Sequence, residues 1–195
     1  VIYAAPGNTD FCNDTAGIPV MSNATRRQQR FNALANAYGT DLYRYALWLC
    51  ANDALAKDLV QETYLRAWKA LDRLNNDAAG KSWLITILRR EFARTFERKV
   101  PKFTDVDTIE VPDDSELEPD DRVEIQLLRR NIQKLPPRYR EPLLLQVVMG
   151  YSCDEIAQQL AISKSAVMTQ LFRAREQLTQ RLQKDGVTGN VHELV

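Results

Sequence analysis

Residues 150–182, GYSCDEIAQQLAISKSAVMTQLFRAREQLTQRL, carry two amphipathic helical patterns with almost nothing between them. Ser152 and Glu155 form an S-x-x-E capping box, in which a hydroxyl and a carboxylate each satisfy a backbone N–H that a helix start leaves unpaired. Ile156, Ala157 and Leu160 then fall on one inward face. Ala161-Ile162 leaves room only for a tight turn, after which Ser163 can cap a second helix with Val167, Leu171, Ala174, Leu178 and Leu182 inward. Ser165, Thr169 and Arg173 point away. Two inward faces sharing one core allow the second helix to project its first turns into a DNA major groove, which is wide enough to admit it. Any pair of amphipathic helices has this spacing, so the basic setting matters. Arg173, Arg175 and Arg181 are donors for phosphates, and Lys164 with the first-turn amides can hold an anion at the helix N-terminus. For Arg175 and Arg181 a solvated face explains the pattern equally well.

Upstream, Pro142 is tolerated in a first helical turn but not in a helix interior, which predicts a helix from near Glu141 to Val148, ended by Gly150. Before it, Val123, Leu127, Leu128 and Ile132 mark a helix that starts near Asp121 and stops at Leu135-Pro136-Pro137. Further upstream the composition changes. Asp105, Asp107, Glu110, Asp113, Asp114, Glu116, Glu118, Asp120 and Asp121 crowd together, punctuated by Pro101, Pro112 and Pro119. Like charges at low hydrophobicity supply no core, so this stretch reads as a linker. It also hides an asymmetry: 26 basic and 26 acidic residues balance over the whole chain, yet removing the acidic run leaves two basic flanks. Such polarity suggests nucleic-acid contact on both sides of the linker.

The N-terminal half is helical as well. Phe31, Leu34, Tyr38, Leu42, Tyr45 and Leu49 recur at spacings of three and four, on one face of a helix that reaches about Cys50 despite Gly39. Asn52 or Asp53 can cap the next helix, whose apolar stripe is Val60, Tyr64, Ala67 or Trp68, and Leu71. Opposite that stripe, Asp58, Glu62, Arg66, Lys69 and Arg73 form a charged ridge; i,i+4 pairing, at roughly 0.2 to 0.5 kcal/mol per pair, is a sufficient reason for it. Asn75 to Gly80 is a polar loop, and Trp83, Leu84, Ile87, Leu88, Phe92 and Phe96 define a third, arginine-rich helix.

The expected fold is therefore all-α: two small helical domains joined by an acidic linker, the second containing a helix-turn-helix. The expected boundaries are a disordered extension over 1–25, a first domain over 26–100, the linker over 101–120, a second domain over 121–185 and a tail over 186–195. No internal repeat and no alternating β-branched run is present. A chain of 195 residues with 45% hydrophobic and 27% charged residues suits two such domains.

Several function classes are disfavoured. Cys12, Cys50 and Cys153 lie far apart without a CxxC, and His192 is the single histidine, so neither a zinc site nor a disulfide framework is expected. Reduced cytoplasmic thiols fit better. No apolar run is long enough to span a membrane, and Val1 to Val20 lacks the basic start and apolar core of a signal peptide. With no ligand cluster, nucleophile–base pairing or phosphate-cradling glycine loop, the chain offers no catalytic residue, metal site, cofactor or small-molecule substrate.

Asp58-Leu59-Val60-Gln61-Glu62-Thr63-Tyr64-Leu65-Arg66-Ala67-Trp68 closely resembles the core-binding helix of the extracytoplasmic-function sigma factors of bacterial RNA polymerase. Trp83-Leu84 and the arginine-rich helix after it resemble that family's promoter-melting region, and Leu135-Pro136 with Arg140-Glu141 resembles the start of its second domain. Gly150-Tyr151-Ser152, Glu155-Ile156-Ala157, Leu160, Ile162-Ser163, Leu171, Arg173, Ala174 and Arg175 continue the likeness, which spans about Phe31 to Leu182.

The resemblance implies a non-enzymatic specificity subunit in the bacterial cytoplasm that binds core RNA polymerase and directs promoter-specific initiation. Asp58, Gln61, Glu62 and Arg66 would grip the clamp coiled coil of the largest subunit. Asn75, Asn76, Lys81, Trp83, Arg89, Arg90 and Arg94 would hold the minus-ten element, with a basic face for one strand and a loop that captures an unstacked base. Trp83 suits either that pocket or the core. Lys164, Ser165, Thr169, Gln170 and Arg173 would read the minus-thirty-five element of promoter DNA. The linker would thread the polymerase's basic channel, and an anti-sigma factor, often membrane-anchored, would cover both working faces. Two departures bear on specificity: Met168-Thr169-Gln170 stands where many members have a Lys-Ser-Arg-like triplet, and Arg90-Glu91 replaces a commoner Arg-Asn. A free-standing helix-turn-helix regulator needs only the C-terminal half and leaves the ridge and melting helix unused. A helical enzyme or adaptor lacks supporting residues.

Overall fold

The computed structural model describes residues 23–98 and 119–185, and all regular structure in them is helical. Residues 101–118 of the linker expected over 101–120, the segment Val1–Val20, the tail over 186–195, Cys12 and His192 lie outside the described residues.

The first domain packs α1 (Asn23–Cys50), α2 (Asp53–Ala70) and α3 (Gly80–Arg98) against one another. Helix α1 begins at Asn23, inside the segment expected to be an extension. Its first turns are tied down by Arg27, which donates to the Trp68 carbonyl at 2.7 Å and lies 4.8 Å over that indole, and by Arg30, 2.6 Å from Asp77. Between α1 and α2 the chain reverses through Ala51 at φ 51°, and Asn52 rather than Asp53 supplies the cap, accepting the Leu55 N–H at 2.8 Å. Short 3-10 turns at Leu71–Arg73 and Asp77–Ala79 lead into α3. A Cβ at Gly80 would meet Leu34 Cδ2 at 2.5 Å, so any other residue there would force the buried Leu34 side chain to shift.

The inward face of α2 differs from the expected stripe. Ala56, Leu59, Thr63, Ala67 and Leu71 are buried, whereas Val60, Tyr64 and Trp68 are half-buried at the edge. Small residues let α1 and α3 approach closely, and the Thr63 hydroxyl is satisfied by the Leu59 carbonyl at 2.7 Å. The displaced rings stack edge-on against Phe31, with centroids 5.9 Å away for Tyr64 and 5.2 Å for Trp68.

The second domain comprises α4 (Pro119–Gln133), α5 (Pro137–Val147), α6 (Cys153–Leu160) and α7 (Lys164–Lys184). Helix α4 starts at Pro119, a residue suited to a first helical position, rather than near Asp121. Helix α5 begins at Pro137, not near Glu141, so Pro142 sits inside it. The missing N–H of Pro142 removes one helical bond, yet burial of Pro142, Leu143, Leu144 and Leu145 in the core holds the turn together. Gly150, at φ 70°, closes this hairpin. Both halves of the capping box form, with the Glu155 N–H 3.3 Å from Ser152 Oγ and the Ser152 N–H 2.8 Å from Glu155 Oε2. The Ser152 N–H first, and then the Ser152 hydroxyl, which donates to the same Oε2 at 2.7 Å, hold the Glu155 carboxyl below its ordinary value. Ala161 adopts φ 54° to make the tight turn, and the Ile162 N–H reaches back to the Ala157 carbonyl at 3.1 Å.

The two domains also pack together, and one apolar cluster runs from Leu34 to Leu182. Arg89 of α3 pairs with Glu141 of α5 and donates to the Gln159 carbonyl at 2.7 Å. The Gln159 amide in turn donates to the Ser82 carbonyl at 3.1 Å and to Thr86 Oγ1 at 2.9 Å. Lys81 donates to the Met149 carbonyl at 3.1 Å, Gln133 donates to the Trp48 carbonyl, and Arg129 lies 5.1 Å over the Trp48 ring.

Candidate nucleic-acid and partner interfaces

Gln61 lines the groove that the displaced rings of α2 form against α1, whereas Arg66 on the ridge turns toward α3. Asp58 and Gln61 are exposed, while Glu62 and Arg66 are partly covered. Phe31, Tyr43, Val60, Tyr64, Leu65 and Trp68 line this open apolar groove of about 430 Å³, with Leu65 exposed at its rim. Arg66 is held from two sides. It lies 3.2 Å from Glu62 and its Nε is 2.6 Å from Glu91 of α3, an ion pair whose angle falls outside hydrogen-bonding geometry. Glu91 is 6% exposed and also receives Arg94 at 2.7 Å. At the other end of the groove, hydrogen bonds from Lys57 and then Tyr43 hold the Asp53 carboxyl below its ordinary value.

The residues expected to hold melted DNA fall into separate settings. Asn75 and Asn76 are exposed in the loop, where Asn76 Oδ1 accepts the Ala78 N–H at 2.9 Å. Trp83 is half-buried against the core, and Arg90 is exposed. Arg94 is tied to Glu91. Lys81 lies 3.2 Å from Asp41 and 5.8 Å over the Tyr151 ring, and it and Arg89 face the second domain. Burial works against the charge of Arg89, but the Glu141 carboxylate outweighs it and holds the guanidinium above its ordinary value.

On α7 the expected readers share one end of the helix. Lys164, Ser165, Thr169 and Arg173 are exposed, and Gln170 is half-buried. Lys164 pairs with Asp154 of α6 at 2.8 Å and Arg173 with Glu176 at 2.7 Å; each acidic neighbour, first through its hydrogen bond, holds its cation above its ordinary value. Arg175 donates to Gln146 at 2.7 Å across the hairpin. Two features of these surfaces escaped the sequence reading. Glu91 has no local pattern that announces Arg66 as its partner, whereas the exposed pair Met168 and Phe172 had a signal that could have found it, two apolar residues four apart and off the inward stripe.

Among the described residues no group of His, Cys, Asp and Glu side chains can hold a metal, and no helix is long and apolar enough to cross a membrane. Residues 34–100 match the family model for Sigma-70 region 2, and residues 125–178 match that for Sigma-70, region 4. The chain is 31% identical over 164 residues to the ECF RNA polymerase sigma factor SigL of Mycobacterium tuberculosis, covering 80% of this chain and 90% of that one. It is 30% identical over 169 residues to the RNA polymerase sigma factor NccH of Alcaligenes xylosoxydans xylosoxydans, covering 82% and 90%. Among solved structures, CnrH in complex with the cytosolic domain of CnrY superposes with a TM-score of 0.62 at 26% identity, over 81% of this chain and 90% of that one. With a three-helix domain, a helix-turn-helix domain and such identity across most of its length, the protein belongs to the ECF sigma factors, alternative sigma factors that direct promoter-specific transcription.

Proposed function

We propose that core RNA polymerase is gripped by the α2 surface through Asp58, Gln61, Glu62 and Arg66, with a helical segment of the polymerase clamp lying along the apolar groove that Gln61 borders. The observation that carries this reading is the groove itself: Val60, Tyr64, Leu65 and Trp68 leave apolar area uncovered beside a charged ridge, the composition of a docking face. In the same reading Asn75, Asn76, Lys81, Trp83, Arg89, Arg90 and Arg94 hold the minus-ten element, and Lys164, Ser165, Thr169, Gln170 and Arg173 meet the minus-thirty-five element. Lys81 and Arg89 exchange their contacts with the second domain for phosphates when DNA binds. The working arrangement is therefore more open than this one. The domains would divide near 100 and 121, with 101–120 as the linker. The chain works in the cytoplasm and leaves nucleotide chemistry to the polymerase, and an anti-sigma factor would cover its working faces.

Charge reversal tests the assignment. Asp58→Lys with Glu62→Lys is expected to abolish capture of core polymerase while the circular dichroism of the helices stays unchanged. Undiminished capture by the folded double variant would remove α2 from the polymerase interface.

A further inference from the structure

Among the described residues, Met168 and Phe172 are the most exposed large apolar side chains, at 57% and 64%. They stand one turn apart on the first half of α7, outside the stripe that Val167, Leu171 and Ala174 bury. Between them is Thr169, whose hydroxyl donates back to the Ser165 carbonyl at 2.9 Å, so its donor is spent on the helix. This stretch of the helix therefore offers a ligand apolar surface. Cations flank it. Lys164 and Arg173 are exposed, and their ion pairs with Asp154 and Glu176 are surface pairs of the weak kind that phosphates readily displace.

A major groove presents one apolar group at its floor, the C5-methyl of thymine. We propose that Met168 and Phe172 read thymine methyl groups in the upstream promoter element, as specificity determinants beside the polar contacts of the same helix. This rests on the assignment of α7 to the major groove. The choice of DNA over a protein partner follows from the setting: two apolar side chains on the leading half of the second helix of a helix-turn-helix, bracketed by cations. A methionine here reads a methyl group through flexible, polarizable contact, with no donor to select guanine.

Deoxyuridine provides the test, because it keeps every hydrogen-bonding group of thymine and lacks only the methyl. Holoenzyme reconstituted from the full chain and bacterial core polymerase is first used to select an upstream element from randomised duplex DNA. Each thymine of the selected element is then replaced singly by deoxyuridine. Loss of one buried methyl is expected to weaken wild-type binding by about fourfold at the contacted positions. Met168→Ala and Phe172→Ala should each bind the two bases alike at one of those positions, while Met168→Leu keeps the discrimination. Both side chains are exposed, so the variants should fold, and circular dichroism checks this. The proposal is overturned if the selected element lacks thymine, if wild type ignores the methyl everywhere, or if the penalty survives in both alanine variants. Variants that read DNA normally but lose capture of a protein would make the patch a protein-docking site instead. Selection of no upstream element at all would instead overturn the placement of α7 in the groove, and the methyl reading with it.

Discussion

Cys50 ends α1 beside Arg140, and burial pushes its thiol from 9.0 up to about 12, the nearby guanidinium only partly opposing the shift. Tyr151 is likewise driven from 10.0 to about 12, first by burial and then by Glu155, and Tyr43 to about 12 by burial and its bond to Asp53. All three groups are neutral in the protonated form, and folding favours that form. Their contribution is fully present below the unfolded values of 9.0 and 10.0 and is lost as the pH climbs through those values toward 12. Alkaline rather than neutral solutions should therefore destabilise the fold. In urea melts the midpoint is expected to hold steady up to about pH 9 and to fall above it, with the ionised-tyrosine absorbance of Tyr43 and Tyr151, isolated as the difference from Tyr43→Phe and Tyr151→Phe variants, appearing together with unfolding. Ionisation of Tyr43 or Tyr151 well before any loss of helix would contradict these assignments. At neutral pH the raised thiol keeps the half-buried Cys50 slow to react with alkylating reagents until the chain unfolds.

At the scale of elements, the contact between α2 and α3 turns on Glu91, a 6% exposed carboxylate between Arg66 and Arg94. The two guanidiniums are 38% and 47% exposed, so solvent screens the pairs and the site contributes less than a fully buried one. Glu91→Ala is expected to destabilise the protein by about 1 to 2 kcal/mol, read as a lower urea midpoint at unchanged slope. Glu91→Gln should fall between the two, since it keeps the volume and an acceptor. The same variants release one side of Arg66, so polymerase capture in them should change less than in the ridge reversal. Equal loss of capture in both would mean that the orientation of Arg66 matters more than the ridge charge. Legibility differs between these helices. The capping box of α6 and the inward stripe of α7 appear as written, because caps and periodicity are local properties. The stripe of α2 is rotated, because alanine and threonine are ambiguous in a pattern that weighs size, and only the closeness of α1 and α3 makes them the inward residues.

The whole molecule adds an arrangement that neither domain contains alone. Tyr45 of α1 is fully buried, and its hydroxyl finds no protein partner among the described residues; the charges of Glu141 and Arg89 surround it at the junction. Closing the domains thus shelters an apolar area at the expense of one unsatisfied hydroxyl and a half-buried ion pair. Glu141→Arg sets a second cation against Arg89 and should shift the equilibrium toward separated domains, raising the radius of gyration in small-angle scattering while helix content stays constant. Pairing it with Arg89→Glu restores the attraction and should recover the smaller radius. An unaltered scattering curve for the single variant would mean that the apolar contact alone maintains closure. Separation also frees Lys81 and Arg89, the condition their proposed work on DNA requires.

The succession of helices, the helix-turn-helix and its caps, the charged ridge and the family itself were all written in the sequence, because each depends on neighbours within a few positions along the chain. The early start of α5 was not, since the tolerance of Pro142 depends on the burial of Leu143 to Leu145 by elements far away in sequence. Nor was the sharing of Arg66 between Glu62 and Glu91, which requires α2 and α3 to lie side by side. Residue types supplied the candidates for nucleic-acid contact. Only the tertiary structure decided which of them face solvent: Arg90 and Thr169 do, whereas Lys81 and Arg89 are turned toward the second domain, because a cation goes wherever the fold brings an acceptor within reach.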